Sequence, residues 1–353
     1  MIEKSRLELD ILKSHYKDAF RPKNWNLSPE AILLFILGGK LKDGTVISPK
    51  YFGEKALVEV MIATLMSDRA LLLIGVPGTA KTWIADHITT ALSGDAALLV
   101  QGTSGTNEES LRYGWNYAQL LANGPSETAL VKSPIYRAME TGRIARIEEL
   151  TRIPSEIQDA LISILSEKTI SIPELNSSIK AERGFNIIAT ANHLDRGVYE
   201  LSSALRRRFN IVLLPLPKTK EEEVKIVQHR AAQLEEAFDY KFPDIKQNHI
   251  DKLITLFREM RNGQTEDGKQ KFKQSTSTLS PAEAISIVHQ AQIQAAMFDH
   301  DTISPKHFTQ GIIQAIGHSP EEILLLKDYN ENIVKKRNDW SEWYQSFKSA
   351  SLD

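Results

Sequence analysis

The stretch GVPGTAKT, residues 75–82, follows the apolar run ALLLI directly and sets a lysine and a threonine behind two glycines. Glycine-rich backbone at the end of a strand can approach phosphate oxygens closely, with a lysine to reach the β and γ phosphates. A hydroxyl at the start of the next helix can then hold Mg2+. Gly75 and Gly78 suit the close approach, Lys81 the phosphates and Thr82 the metal. Ala80 stands where most such loops place a glycine; it adds one methyl and leaves the backbone donors in place. With Val76, Pro77, Thr79 and Trp83, these residues form the candidate contact with a nucleotide. The relaxed pattern should arise by chance roughly 0.03 times in a chain of this length, and a preceding strand and a following helical segment make coincidence rarer still.

Phosphoryl chemistry at such a cradle needs a carboxylate pair at the end of a neighbouring strand, one for the metal and one to polarise a water. IARIEEL offers Glu148 and Glu149. The first is longer by a methylene than the aspartate common in such pairs, which moves its carboxylate on the order of 1.5 Å, and a misplacement of ~1 Å can cost ~100-fold in rate. Strand alternation puts Arg146 on the side of Glu148 inside a sheet expected to be buried, so it must be paired, with Glu148 or another carboxylate, or else serve the nucleotide. NIIATAN ends on Asn192, whose amide could orient a water or cap the next turn. SALRRRF, 203–209, places three arginines between a short helix and a strand, either as a solvated helix end or as a finger completing the site of a neighbouring subunit.

The elements that must position these groups are also legible. Five apolar runs, ALLLI (70–74), ALLVQ (97–101), IARIE (144–148), NIIAT (186–190) and IVLLP (211–215), are separated by segments long enough for crossover helices. They predict a three-layer α/β domain around a five-stranded parallel sheet. After Pro217 the pattern becomes helical, with Val224, Val227, Ala231, Leu234 and Phe238, then Ile250, Leu253, Ile254 and Phe257, at helical spacing. Ser-Pro helix starts recur at 280, 304 and 319, the first with Glu283 completing a capping box. RNGQTEDGKQK, 261–271, reads as the flexible loop of this small helical domain. The aromatic stripe Trp340, Trp343, Tyr344 and Phe347 is expected to pack on its own chain.

Composition narrows the function classes. With 43 basic against 45 acidic residues, the chain has no global field for nucleic acid or anionic lipid. It has no cysteine, hence no disulfide or thiolate metal site. The apolar stretch AILLFIL is far below the ~20 residues of a membrane span, and the charged start lacks a signal-peptide core. A cytoplasmic location is expected.

GVPGTAKT, IARIEEL, NIIATAN and ALRRRF, in this order and followed by a helical lid, resemble the AAA+ ATPases, and within them the MoxR group, over roughly residues 48–317. The resemblance implies a P-loop NTPase (AAA+) domain at 48–216, a lid at 217–317, an N-terminal helical segment at 1–47 and a helical tail at 318–353. It implies ATP and Mg2+ as cofactors, Glu149 for water activation, Asn192 as first sensor, and Glu148 with Thr82 at the metal. Arg208 best matches the finger, with Arg207 its nearest competitor. Phe52 and Gly53, in KYFGEKALVE, resemble the base-contacting stretch. The family's lid arginine is absent: Ala282 occupies its place.

MoxR-like proteins form hexameric rings with a helix-2 insertion and a hairpin insertion, matched here by 105–124 and 168–184, where Tyr113, Trp115 and Tyr117 could meet a client. Similar proteins work with partners bearing a von Willebrand factor type A domain. The resemblance thus implies an oligomeric Mg·ATP hydrolase that remodels a protein partner. An ATP-binding scaffold without hydrolysis is the alternative favoured by Glu148 and Ala282. A DNA-processing motor is disfavoured by the neutral charge balance.

Overall fold

The computed structural model of the protein describes residues 2–192, 199–236, 238, 240–299, 302–316 and 319–350. They form two compact units, one of residues 2–76 and 80–214, the other of 77–79 and 215–353. The expected junction of lid and tail, at 317 and 318, lies outside the described residues.

The first unit is built on a sheet of five strands, β1 (Ala70–Gly75), β2 (Leu99–Gln101), β3 (Ile144–Glu148), β4 (Asn186–Asn192) and β5 (Phe209–Leu213). All pairings are parallel, in the order β5-β1-β4-β3-β2. Each expected run forms a strand, with shifted ends: the second starts only at Leu99 and the fifth begins at Phe209 and stops at Leu213. The apolar runs are continuous because both faces are covered. Leu71, Leu73 and Ile188 enter one core, while Leu72, Ile187 and Ala189 enter the other.

Helices α1 (Ile2–His15), α2 (Pro29–Leu37), α3 (Lys55–Met66) and α4 (Lys81–Ser93) contribute Leu12, Phe35, Met61 and Ile88 to the first core. Helices α5 (Pro134–Thr141) and α6 (Ala160–Ser166) contribute Met139 and Ile164 to the second. The result is the three-layer α/β architecture. Among the described residues, three antiparallel pairs also lie in this unit, the first joining Gly39–Lys40 to Val46–Ile47. Tyr113–Trp115 pairs with Leu130–Lys132, and Thr169–Ile172 with Ser177–Lys180.

The second unit is helical: α7 (Lys220–Glu235), α8 (Gln247–Asn262), α9 (Pro281–Phe298), α10 (Pro305–Ile316), α11 (Pro320–Asn332) and α12 (Ser341–Ser349). All three Ser-Pro starts open helices. At α9 the Glu283 carboxylate accepts from the Ser280 amide (2.5 Å), and at α11 the Ser319 side chain accepts from the Glu322 amide. Val224, Val227, Ala231, Ile250, Leu253 and Phe257 line the core, as their spacing predicts, but α7 ends before Phe238, which is exposed. Trp340, Trp343 and Phe347 are buried in the same core, so the aromatic stripe does pack on its own chain.

The stretch 261–271 differs from its expectation. It is no slack loop: the Thr265 amide donates to the Gln270 carbonyl (3.0 Å), and the Asp267 carboxylate accepts from the Thr265 hydroxyl (2.6 Å) and the Lys269 amide (3.1 Å). Glu259, on α8, accepts from the Glu266 amide (2.8 Å) and pins the turn down. Gly and polar residues here encode a closed turn.

His249 stacks on Phe308 at 5.2 Å between ring centroids. Burial, reinforced by Lys252 and Lys246, pushes its pKa below the ordinary 6.5. On acidification the unfolded chain therefore takes up this proton first, so the stabilising contribution present above about pH 6.5 is lost as pH falls toward the folded value. The melting temperature of the wild type is expected to drop between about pH 7.5 and about pH 5.5 more steeply than that of His249→Phe. Parallel slopes would dismiss this account.

Candidate nucleotide site

The sheet register brings the candidate residues to one edge. Asn192, the last residue of β4, pairs with Gly75 at the end of β1, and Gln101 of β2 pairs with Glu148 of β3. The loop after β1 turns through left-handed backbone at Gly78 (φ 78°) and again at Ala80 (φ 63°, ψ 25°) before α4 begins. The extra methyl at Ala80 is exposed, so the consequence of the alanine lies in its backbone conformation and not in crowding. Left-handed backbone costs an L-residue about 1–2 kcal/mol, where glycine adopts it freely. Ala80 also supplies no side-chain cap to α4, which suits a helix N-terminus whose amides are to receive an anion.

Lys81 is buried, and its ammonium donates to the carbonyls of Gly75 and Val76, both at 3.0 Å. Beside it the Thr82 hydroxyl donates to Glu148 Oε2 at 2.8 Å, and the Thr190 hydroxyl donates to the same oxygen at 2.5 Å. Glu148 Oε1 accepts from Arg146 at 2.8 Å, and the other arm of that guanidinium pairs with Asp86 of α4. The buried arginine is thus paired with two carboxylates, and the longer glutamate does reach the threonine.

Glu149 follows in left-handed backbone (φ 54°, ψ 47°), which turns it away from the strand direction of Glu148. Its two carboxylate oxygens accept from the Asn192 amide at 2.9 and 3.1 Å, and Arg152 lies 3.5 Å from Oε2. Asn192 therefore engages the second acid directly. A hydroxyl and a carboxylate oxygen side by side, next to a lysine, form a hard-oxygen set that fits Mg2+ and phosphate.

The Trp83 indole donates to the Lys50 carbonyl at 2.8 Å and meets His87 edge-on at 4.3 Å, which draws the segment containing part-buried Phe52 and exposed Gly53 alongside α4. Lys50 in turn pairs with Glu8 of α1 in the interior, and burial lowers its pKa against the opposing pull of Glu8. Arg208 is folded back, its guanidinium on Ser166 of α6 and on the Ala204 carbonyl (2.5 Å). Arg207 is exposed. Ala282 lies in the first turn of α9. In the hairpin region, Tyr113 and Trp115 are partly buried and Tyr117 is 62% exposed. The Tyr113 hydroxyl donates to Glu174 (3.0 Å), and burial with this bond pushes its pKa up to about 12.

Two parts of the chain match family models: residues 70–209 match the AAA domain of the dynein-related subfamily, and residues 221–348 the YehL-like AAA+ ATPase C-terminal domain. The uncharacterised protein YehL of Escherichia coli (strain K12) is 38% identical over 334 residues, covering 92% of this chain and 90% of YehL. The chain belongs to the YehL-like AAA+ ATPases. An uncharacterised protein of Staphylococcus aureus (strain USA300) is 27% identical over 146 residues, 41% of this chain and 55% of that protein. Among solved structures, NtrX from Brucella abortus in complex with ADP aligns with a TM-score of 0.51 at 14% identity, over 80% of this chain and 61% of NtrX. That likeness concerns the fold.

Several residues of this AAA+ site escaped the sequence reading. Thr190, buried in NIIATAN, was signalled only by being a polar residue inside an apolar strand. Asp86 follows Thr82 by one helical turn, a spacing that places both on one face of α4. Gly102, after β2, donates its amide to the Glu148 carbonyl at 2.7 Å, and a side chain there would strike the Glu148 and Glu149 carbonyls.

The backbone at Ala80 gives a direct test. Ala80→Gly removes about 1 kcal/mol of strain but restores comparable unfolded-state entropy, so its stability should stay within about 1 kcal/mol of wild type. Ala80→Val, β-branched in the left-handed region, should lose about 1–3 kcal/mol. Urea denaturation midpoints compare the three, and identical midpoints would remove the strained assignment.

Proposed function

We propose that the protein is a Mg2+-dependent ATP hydrolase of the MoxR type that works as an oligomer to remodel a protein partner. The observation that carries this reading is the Thr82–Glu148 hydrogen bond directly behind Lys81, with Glu149 and Asn192 paired beside it. Lys81 and the loop amides would bind the β and γ phosphates, and Thr82 with Glu148 would hold the metal. With Mg2+ held there, the site would gain positive charge to offset that of the phosphates. Glu149 would orient the attacking water and accept its proton, with Asn192 setting the direction of its carboxylate. The base would lie near Phe52 and Gly53.

An arginine from a neighbouring subunit would complete the site. Arg207 and Arg208 are both candidates: the order of residues before Phe209 favours Arg208, whereas exposure favours Arg207. In a ring, proposed to be a hexamer, the exposed Tyr117 and Leu121 stand ready for a client, and a partner with a von Willebrand factor type A domain follows from the MoxR resemblance. A cytoplasmic location is part of the same proposal; among the described residues no helix is long and apolar enough to cross a membrane.

A scaffold that binds ATP without hydrolysing it is the second reading. Asn192 and Arg152 together engage both oxygens of Glu149, and Ala282 leaves the lid without the arginine of the family pattern.

Lys81→Ala should abolish Mg·ATP binding in calorimetry. Glu149→Gln should keep binding while phosphate release falls about 100- to 10,000-fold. For a finger acting in trans, wild-type turnover per chain should rise with protein concentration, and the finger variant should lose about 1,000-fold or more. Binding without phosphate release at any concentration would select the scaffold; normal turnover in Lys81→Ala or Glu149→Gln would end the assignment. A pull-down with ATP-loaded Glu149→Gln would identify the client.

A further inference from the structure

We propose that Arg146 is a positioning residue whose guanidinium, anchored on Asp86, fixes the Glu148 carboxylate and offsets its charge, making nucleotide binding less dependent on Mg2+ than a bare glutamate there would. This inference rests on the nucleotide-site reading above and concerns how that site tolerates a glutamate.

Arg146 is 5% exposed in the middle of β3, with Leu99 of β2 and Ile188 of β4 as its strand neighbours. An arginine between two aliphatic residues at the heart of a sheet gains nothing from burial alone and is retained only where its charge is used. One arm reaches Glu148 Oε1 at 2.8 Å and the other reaches Asp86. Its Nε is buried and makes no hydrogen bond among the described residues, so the fork is spent on joining these two carboxylates. Asp86 is 44% exposed in its side chain and sits on α4, the helix that carries Lys81 and Thr82. The chain Asp86, Arg146, Glu148, Thr82 therefore runs from α4 through β3 and back to α4.

Two consequences follow for a glutamate in this place. It has one more rotatable bond than an aspartate, and its carboxylate could swing away from Thr82. Binding one oxygen to Arg146 leaves only Oε2 directed at the two threonine hydroxyls, so the extra reach is taken up sideways. Secondly, a carboxylate near the phosphates repels them at close range, where water screens poorly. The guanidinium supplies the opposite charge from within the chain, a duty that a divalent cation would otherwise carry alone.

The test measures ADP affinity by calorimetry in excess Mg2+ and in EDTA, for wild type, Arg146→Met, Glu148→Gln and the double variant, with melting curves for each. Arg146→Met leaves the Glu148 charge unanswered, so affinity in EDTA should fall by about ten-fold more than affinity in Mg2+. Glu148→Gln keeps size and shape and should narrow the gap between the two buffers. The double variant should return the gap close to that of wild type, and Arg146→Lys, which keeps the charge but not the two-armed fork, should give a gap between those of wild type and Arg146→Met.

Equal losses in both buffers for Arg146→Met, as a merely structural role would give, would overturn the inference. If Arg146→Met does not fold, Arg146→Lys decides: a gap equal to that of wild type overturns it. Wild-type protein that binds ADP in neither buffer would overturn the nucleotide-site reading and this inference with it, an outcome distinct from binding with an unaltered gap.

Discussion

Glu148 Oε2 accepts from two threonine hydroxyls, Thr82 at the start of α4 and Thr190 near the end of β4. Three elements meet at that one atom: the helix after the loop, the central strand and the strand bearing the acids. Because β4 lies beside β3 in the sheet, the shared oxygen ties the ends of two adjacent strands to the helix that follows the loop. Bonds to a charged acceptor are shorter and stronger than neutral ones, so a single carboxylate can coordinate the geometry of Lys81, Asn192 and Glu149 around it.

The parts of this arrangement that depend on chain-local chemistry were readable from the sequence. Apolar runs of the right length gave the strands, Ser-Pro pairs gave the helix starts at 281, 305 and 320, and GVPGTAKT gave the loop. Arg146 announced a partner because no buried sheet leaves an arginine alone. What escaped depended on proximity through space. Thr190 and Asp86 acquire meaning only once β4 and α4 stand next to β3. At Ala80 the side chain suggested a question of volume, whereas the structure makes it one of backbone angle, which residue type alone does not encode. RNGQTEDGKQK was misjudged for the opposite reason: its glycines and polar groups are those of slack chain and also those of a tightly bonded turn. Only the anchor at Glu259, on a preceding helix, separates the two.

The helical unit uses charge in its interior in the same manner. Glu223 is fully buried and accepts from Arg258 at 3.2 Å and Arg261 at 2.9 Å, while Glu259 accepts from the Tyr329 hydroxyl at 2.5 Å and Arg337 at 2.6 Å. Burial and the neighbouring Glu259 hold the Tyr329 hydroxyl well above its ordinary pKa, so it stays a donor. Loss of one partner from such a cluster strands a charge in the core, at about 3–5 kcal/mol. The aromatic tail packs on cations of this unit: the Lys252 ammonium lies 5.6 Å from the Trp340 ring, and the Arg337 guanidinium 4.9 Å. The last helix thereby belongs to the packing of the unit and is no appendage.

Gly102 gives the acidic pair an unusual kind of protection. Its amide holds the Glu148 carbonyl, and the space its missing side chain leaves is already filled by main-chain oxygen of both acids, the nearer-spaced of them at Glu149 and the other 2.7 Å from where a first carbon would stand. Main chain cannot step aside as a flexible side chain can. Alanine, the smallest step at this position, therefore forces the main chain of the acids to shift, so the geometry of the pair depends on a residue that carries no side chain.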